Sequence, residues 1–189
     1  MKLTQSIGLT VLSVLLLSAC AGRGGPEALV SQVEANPTFY TQVGMWSSER
    51  RNEIQATNYA VDDRIPPNTR VTVERVTNEA VVFQREDAPD QRYTLVNTQY
   101  TGEDIEGLFA RTFGREPVNL DQFNAEMREA IERGEVVEGM TRDEVLVARG
   151  YPPAHETPSL DDDRWRYWRH RFATNNVHFG TDGRVERIE

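Results

Sequence analysis

Apolar and polar residues alternate along the middle of this chain, and the period changes twice. From Arg70 to Val76 the order is RVTVERV, with Val71, Val73 and Arg75 falling on one side. A period of two marks a strand with one buried face. Ala80–Glu86 (AVVFQRE) follows the polar turn Thr77-Asn78-Glu79, and Gln91–Thr98 (QRYTLVNT) follows the loop Asp87–Asp90. Short strands joined by short turns predict an antiparallel meander, either a small SH3-like barrel or an open sheet, over residues 39–114. Pro66 and Pro67, in the approach to the first of these strands, must lie outside any ladder.

The period then becomes helical. In Thr101–Gly114, Ile105, Leu108, Phe109 and Phe113 share a face, with Thr101 and Asp104 as an N-cap pair and Gly114 as terminator. This predicts a covering helix over residues 101–113. REPV (Arg115–Val118) breaks the pattern and marks a domain boundary. Asn119–Gly134 reads as a second helix, with Leu120, Phe123, Met127 and Ile131 at helical spacing. Such a Met and aromatic stripe is core far more often than a cofactor site. In Gly139–Pro153, Thr141 and Glu144 form a capping box, Gly150 closes the helix, and Pro152 and Pro153 forbid continuation. RWRYWRHRFA, NVHF and RVERI then read as three strands, the last two joined by the tight turn Gly180–Gly183. The expected class is α+β: a small antiparallel β domain with a covering helix, then a two-helix, three-strand domain over residues 118–189.

The amino terminus has neither period. Lys2 precedes an apolar run from Ile7 to Leu17, the pattern of a secretory leader and too short for a comfortable membrane span. Leu17-Ser18-Ala19-Cys20 resembles the lipobox of bacterial lipoproteins. That resemblance implies a signal peptide over residues 1–19, cleavage before Cys20, and acylation of Cys20. Ala21, rather than an acidic residue, then implies the outer membrane. Several acyl chains hold a protein on a bilayer almost irreversibly. Residues 20–38 read as a lipidated tether, loosened by Gly22, Gly24, Gly25 and Pro26. Leu29, Val30 and Val33 would allow a short helix there, but a spacer is the plainer expectation.

Charge narrows the partners. The chain carries a formal net charge of −9, and one unit more negative once the leader removes Lys2, the single lysine. An acidic body disfavours general affinity for nucleic acid or anionic lipid. Cys20 is the one cysteine, so no disulfide within the chain supports the fold.

GMTRDEVLVARGYP (Gly139–Pro152), then Trp165-Arg166-Tyr167, then VHFGTDGRVERIE (Val177–Glu189) together resemble the SmpA/OmlA (BamE-like) family of outer-membrane lipoproteins. The resemblance implies a non-enzymatic module, two helices on a three-stranded antiparallel sheet, held at the periplasmic face of the outer membrane. It implies protein partners in the barrel-assembly machinery. Two features depart from the pattern: the β domain over residues 39–114 and the long acidic insertion Pro153–Asp163. The same module occurs in other envelope lipoproteins and resembles β-lactamase inhibitory proteins. A ligand-binding or inhibitor role, directed at peptidoglycan or a periplasmic enzyme, is therefore the alternative. Its distinguishing feature would be a concave aromatic or polar groove between the domains.

Other chemistry is sparse. His155, His170 and His178 have no HxxxH or HxH spacing, and Asp161–Asp163 is not followed by a calcium-loop pattern. GRGG (residues 22–25) lacks the preceding strand of a phosphate loop, and no nucleophile elbow occurs. No metal or cofactor is expected. WRYWRHRF (Trp165–Phe172) remains, interleaving rings with cations. Alternation splits it into Trp165, Tyr167, Arg169 and Arg171 on one face and Arg166, Trp168, His170 and Phe172 on the other. Arg166, Trp168, Arg169 and Arg171 are the candidate partner-binding residues. A chain exported by its leader makes nucleic acid an improbable target.

Overall fold

The computed structural model of the chain describes residues 26–48, 50–57, 59–60, 62–170 and 173–189. The leader, Cys20 and Arg171 lie outside the described residues. The fold is α+β, with two apolar cores that correspond to the two halves of the chain.

The expected tether over residues 20–38 needs correction. Pro26–Ala35 is a helix, α1, with Pro26 at its first position, where a missing N–H costs nothing. Leu29 and Val33, one turn apart, are buried in the first core. The helix therefore belongs to the folded body.

A six-stranded sheet carries the first half. The strands are β1 (Thr38–Thr41), β3 (Glu53–Gln55), β5 (Arg70–Val76), β6 (Ala80–Arg85), β7 (Ala88–Val96) and β8 (Phe113–Gly114), in the order β3-β7-β6-β5-β1-β8. A ribbon of β2 (Met45–Ser47) and β4 (Asp63–Ile65) stands apart from it. The meander β5–β6–β7 is antiparallel, but β3 pairs with β7 in parallel, Ile54 opposite Leu95. The half-domain is thus mixed rather than wholly antiparallel. Register breaks between Val73 and Arg75 and between Gln84 and Arg85 curl the sheet into a half-barrel. The first break also shifts the expected alternation: Val71, Val73 and Val76 point inward, while Arg75 is exposed.

Helix α2 (Ile105–Thr112) closes the half-barrel. It starts later than residue 101, because Asp104 is the cap and accepts the Gly107 N–H at 2.9 Å. Thr101 is buried instead and accepts the Thr98 N–H. Phe109 meets Phe39 edge-on at 5.0 Å, and Phe113 meets Phe83 at 5.3 Å.

The second half begins with a correction as well. The helix expected over Asn119–Gly134 is broken into a single 3-10 turn (Leu120–Gln122) and α3 (Ala125–Arg133). Asn124 breaks it by capping α3, accepting the Met127 N–H at 2.9 Å, a local bond that competes with helix continuation. Helix α4 (Arg142–Arg149) carries the complete Thr141/Glu144 capping box. Both helices lie on an antiparallel sheet of β9 (Arg164–His170), β10 (Ala173–Phe179) and β11 (Val185–Ile188), in the order β11-β10-β9. Trp165 and Tyr167 are on the buried face with Val177, Phe179 and Val185. Among the described residues no helix is long and apolar enough to cross a membrane.

Candidate functional site

The two halves are bonded together along the β2–β4 ribbon. The Gly44 N–H donates to the Val147 carbonyl at 2.9 Å, inside α4. From β4, the Arg64 guanidinium reaches two carbonyls of the last turn of α3, that of Ile131 at 2.7 Å, which also accepts the Gly134 N–H at 3.0 Å, and that of Glu132. A cation at a helix C-terminus also complements the dipole. Asn68 exchanges two hydrogen bonds with the Val118 backbone, at 2.9 and 2.6 Å. The Ala154 N–H also donates across the halves, to the Tyr100 carbonyl at 3.0 Å.

Beside this seam lies a cleft of about 400 Å³, walled by Trp46 and Ala60 from the first half and by Arg149, Tyr167, Arg169 and Val177 from the second. Arg149 ends α4 and is 8 % exposed. Its guanidinium lies 4.3 Å from the Trp46 ring centroid and 5.2 Å from that of Tyr167, and donates to the Trp168 carbonyl at 3.0 Å. Burial lowers its pKa to about 10, and the neighbouring charge of Arg169 pushes the same way. The Tyr167 phenol donates to the Gly150 carbonyl at 2.8 Å, and burial drives its pKa far above the usual tyrosine value. Arg169 is exposed and makes no ion pair among the described residues. At the rim, Glu135 is held by Arg133 at 2.8 Å.

Three of the four candidate residues are described, and they do not form one surface. Arg166 is engaged within the molecule, with Glu156 of the acidic insertion at 3.0 Å and with the Asn176 side chain at 3.1 Å. Trp168 is half-buried against Tyr59, ring centroids 6.0 Å apart. Arg169 lies on the opposite face of the strand and borders the cleft. The sequence reading missed Arg149 and Trp46. Arg149 carried a faint signal, a cation on the apolar side of a helix just before its glycine stop. Trp46 carried none.

Two of the histidine side chains are described, and they have separate partners: His155 packs against Tyr100 at a tilt, ring centroids 4.4 Å apart, while His178 meets Glu189 at 2.7 Å. Among the described residues no group of three or more His, Cys, Asp or Glu side chains is arranged around a possible metal position. Arg142 secures the acidic insertion through the Leu160 and Asp162 carbonyls, at 3.1 and 3.2 Å.

Comparison with protein-family models, with curated proteins and with solved structures finds no match to this chain. What the fold and cleft define by themselves is a two-module α+β body with a cationic, aromatic recess at the junction.

Proposed function

We propose that the protein is a lipid-anchored lipoprotein of the outer membrane, facing the periplasm, which works as a non-catalytic interaction module in outer-membrane protein assembly or envelope integrity. The observation that carries this reading is one combination. A leader-like stretch over residues 1–19, followed by Cys20, occurs in the same chain as a helix-pair-on-meander module, whose capping box and glycine stop hold the family-like motif Gly139–Pro152. Acylation at Cys20 would place the body at the bilayer surface, with residues 21–25 before the first turn of α1. Mass spectrometry of the amino-terminal peptide from membrane extracts should find a lipid-modified cysteine. Crosslinking in cells should then capture barrel-assembly subunits. A deletion strain with an unchanged outer-membrane protein profile and intact permeability would overturn the assembly role.

A second reading is favoured by a specific observation. The cleft between the modules is the concave aromatic and polar groove expected of an envelope ligand-binding or inhibitor protein. Anchoring is common to both readings; they differ in whether the working surface is convex or is this recess.

A further inference from the structure

A second cleft, of about 400 Å³, opens between α1 and α2 in the first half of the chain. Its floor is aromatic: Phe39 meets Phe109 with ring centroids 5.0 Å apart, and Phe109 meets Phe113 at 5.1 Å. Ala28 and Ala110 are exposed and form low rims on the two helices. The charged walls, Glu106 and Arg115, differ in their state. The Arg115 guanidinium donates to the Asn36, Thr38 and Gln32 carbonyls at 2.7, 2.9 and 3.1 Å, and lies 3.7 Å from the Phe39 ring centroid. It secures the C-terminal end of α1, whose dipole a cation complements. Glu106, in the first turn of α2, is half-buried and has no such partner. Its Oε1 is shut off from solvent, and among the described residues its carboxylate accepts no hydrogen bond and forms no ion pair. Arg111, on the same helix, is taken by Glu103 at 3.1 Å.

A partly desolvated carboxylate without a donor is costly, and such a group calls for a reason. We propose that the α1–α2 cleft binds an ammonium carried on a short apolar stem, with the cation at Glu106 and the stem on the phenylalanine floor. With Oε1 shut off, Glu106 presents one oxygen, which suits the point charge of an ammonium better than the two-pronged fork of a guanidinium. The helix end also favours a cation. Asp104 and Glu106 carry two negative charges there, against the roughly half positive charge of a helix N-terminus. One monocation matches the one carboxylate that lacks a partner, because Arg115 is set against main-chain carbonyls. An anion would have to compete with those carbonyls for Arg115 while facing Glu106. The volume lies at the small end of ligand pockets and suits a lysine-sized group. This site is separate from the junctional cleft and rests on neither reading of function above. The same chemistry is offered by a lysine side chain of a protein segment and by a free alkylamine.

Isothermal titration of the full-length protein in detergent, blanked against empty micelles, tests the site. The probes are N-acetyl-lysinamide, its neutral analogue N-acetyl-norleucinamide, n-pentylammonium, and the peptide acetyl-Ala-Lys-Ala-amide. N-acetyl-lysinamide should bind at least about tenfold more tightly than the neutral analogue, the scale of one charged contact. A lysine peptide tighter than n-pentylammonium identifies a protein segment as the source; equal or reversed affinities identify a small amine. Glu106→Gln should erase the preference for the cation and keep the thermal melt, because no internal bond is lost. Ala110→Trp, at the exposed rim, should weaken every probe at least about tenfold by filling the cleft. Should Glu106→Gln lower the melt, Ala110→Trp decides. A cation preference that survives Glu106→Gln, or binding that survives Ala110→Trp, overturns the site. Norleucinamide binding as tightly as lysinamide overturns the ammonium assignment. No binding by any probe overturns the proposal outright.

Discussion

Tyr167 and Arg149 show how one residue position serves both packing and charge. Tyr167 is buried, its hydroxyl satisfies the Gly150 carbonyl, and its ring supports the guanidinium of Arg149. Tyr167→Phe should therefore cost about 1–3 kcal/mol at neutral pH, since a buried carbonyl loses its donor. The same variant has a distinct alkaline behaviour. The Tyr167 pKa is raised in the fold by burial, with Tyr151 adding to the shift and Arg149 opposing it. A raised folded value means stability present below the unfolded tyrosine pKa, near 10, and lost as pH rises beyond it. Arg149 acts in the opposite sense, because its folded pKa of about 10 lies below the unfolded one, so stability increases as pH climbs between them. Wild type shows the difference of the two trends, and Tyr167→Phe removes the destabilising one. Urea midpoints measured from pH 8 to pH 11 should fall less steeply, or rise, in the variant above pH 10. Parallel curves would count against this origin. At this scale the sequence was partly legible. Alternation placed Trp165, Tyr167 and Arg169 on one face, but only the packing of α3 and α4 determines that this face is the inner one.

At the scale of elements, local chemistry was read most faithfully where it is self-contained. The capping box of α4 is one example. Glu144 Oε2 accepts the Thr141 N–H at 2.7 Å and the Thr141 hydroxyl at 2.9 Å, while the Glu144 N–H reaches that hydroxyl at 3.3 Å. Thr141→Ala should cost about 1–2 kcal/mol, lowering the melting temperature by a few degrees. Glu144→Gln, which keeps an acceptor, should cost less. Elements that depend on distant partners were read less well. The helix expected over Asn119–Gly134 gave no sign that Asn124 would cap a new helix instead of continuing the old one. Two apolar residues in α1 could not announce a docking site that β5 and α2 provide. Their burial has a measurable consequence: Leu29→Ala should destabilise the first half by about 2 kcal/mol, the low end for a leucine that can partly re-close. Hydrogen exchange should then accelerate in β5 and α2. A tether without structural weight would leave those amides unchanged.

At the scale of the whole molecule, the two apolar cores meet along a seam that was not legible in the sequence. Arg64 belongs to a polar, proline-bearing loop in sequence, and its acceptors lie 67 and 68 positions away. Gly44 has no motif around it, yet a Cβ there would overlap the Ala148 carbonyl oxygen. No local pattern encodes either contact, so the cleft, which needs Trp46 from one half and Arg149 from the other, had no sequence signature of its own. The seam can be tested directly. Arg64→Ala removes two charge-assisted bonds to α3, worth about 1.5–3 kcal/mol each at most; the Glu132 carbonyl loses this donor, while that of Ile131 keeps the Gly134 N–H. Gly44→Ala forces α4 away from the ribbon, an overpacking cost of about 1–3 kcal/mol. Arg64 and Gly44 belong to neither apolar core, and both substitutions act on backbone carbonyls of the second core rather than on its side chains. If the seam couples the halves, wild type should melt in one calorimetric transition, and the double variant should melt in two, with a reduced urea slope for each. A double variant that still melts as one unit would show that cohesion lies elsewhere, at the Asn68–Val118 or Tyr100–Ala154 contacts.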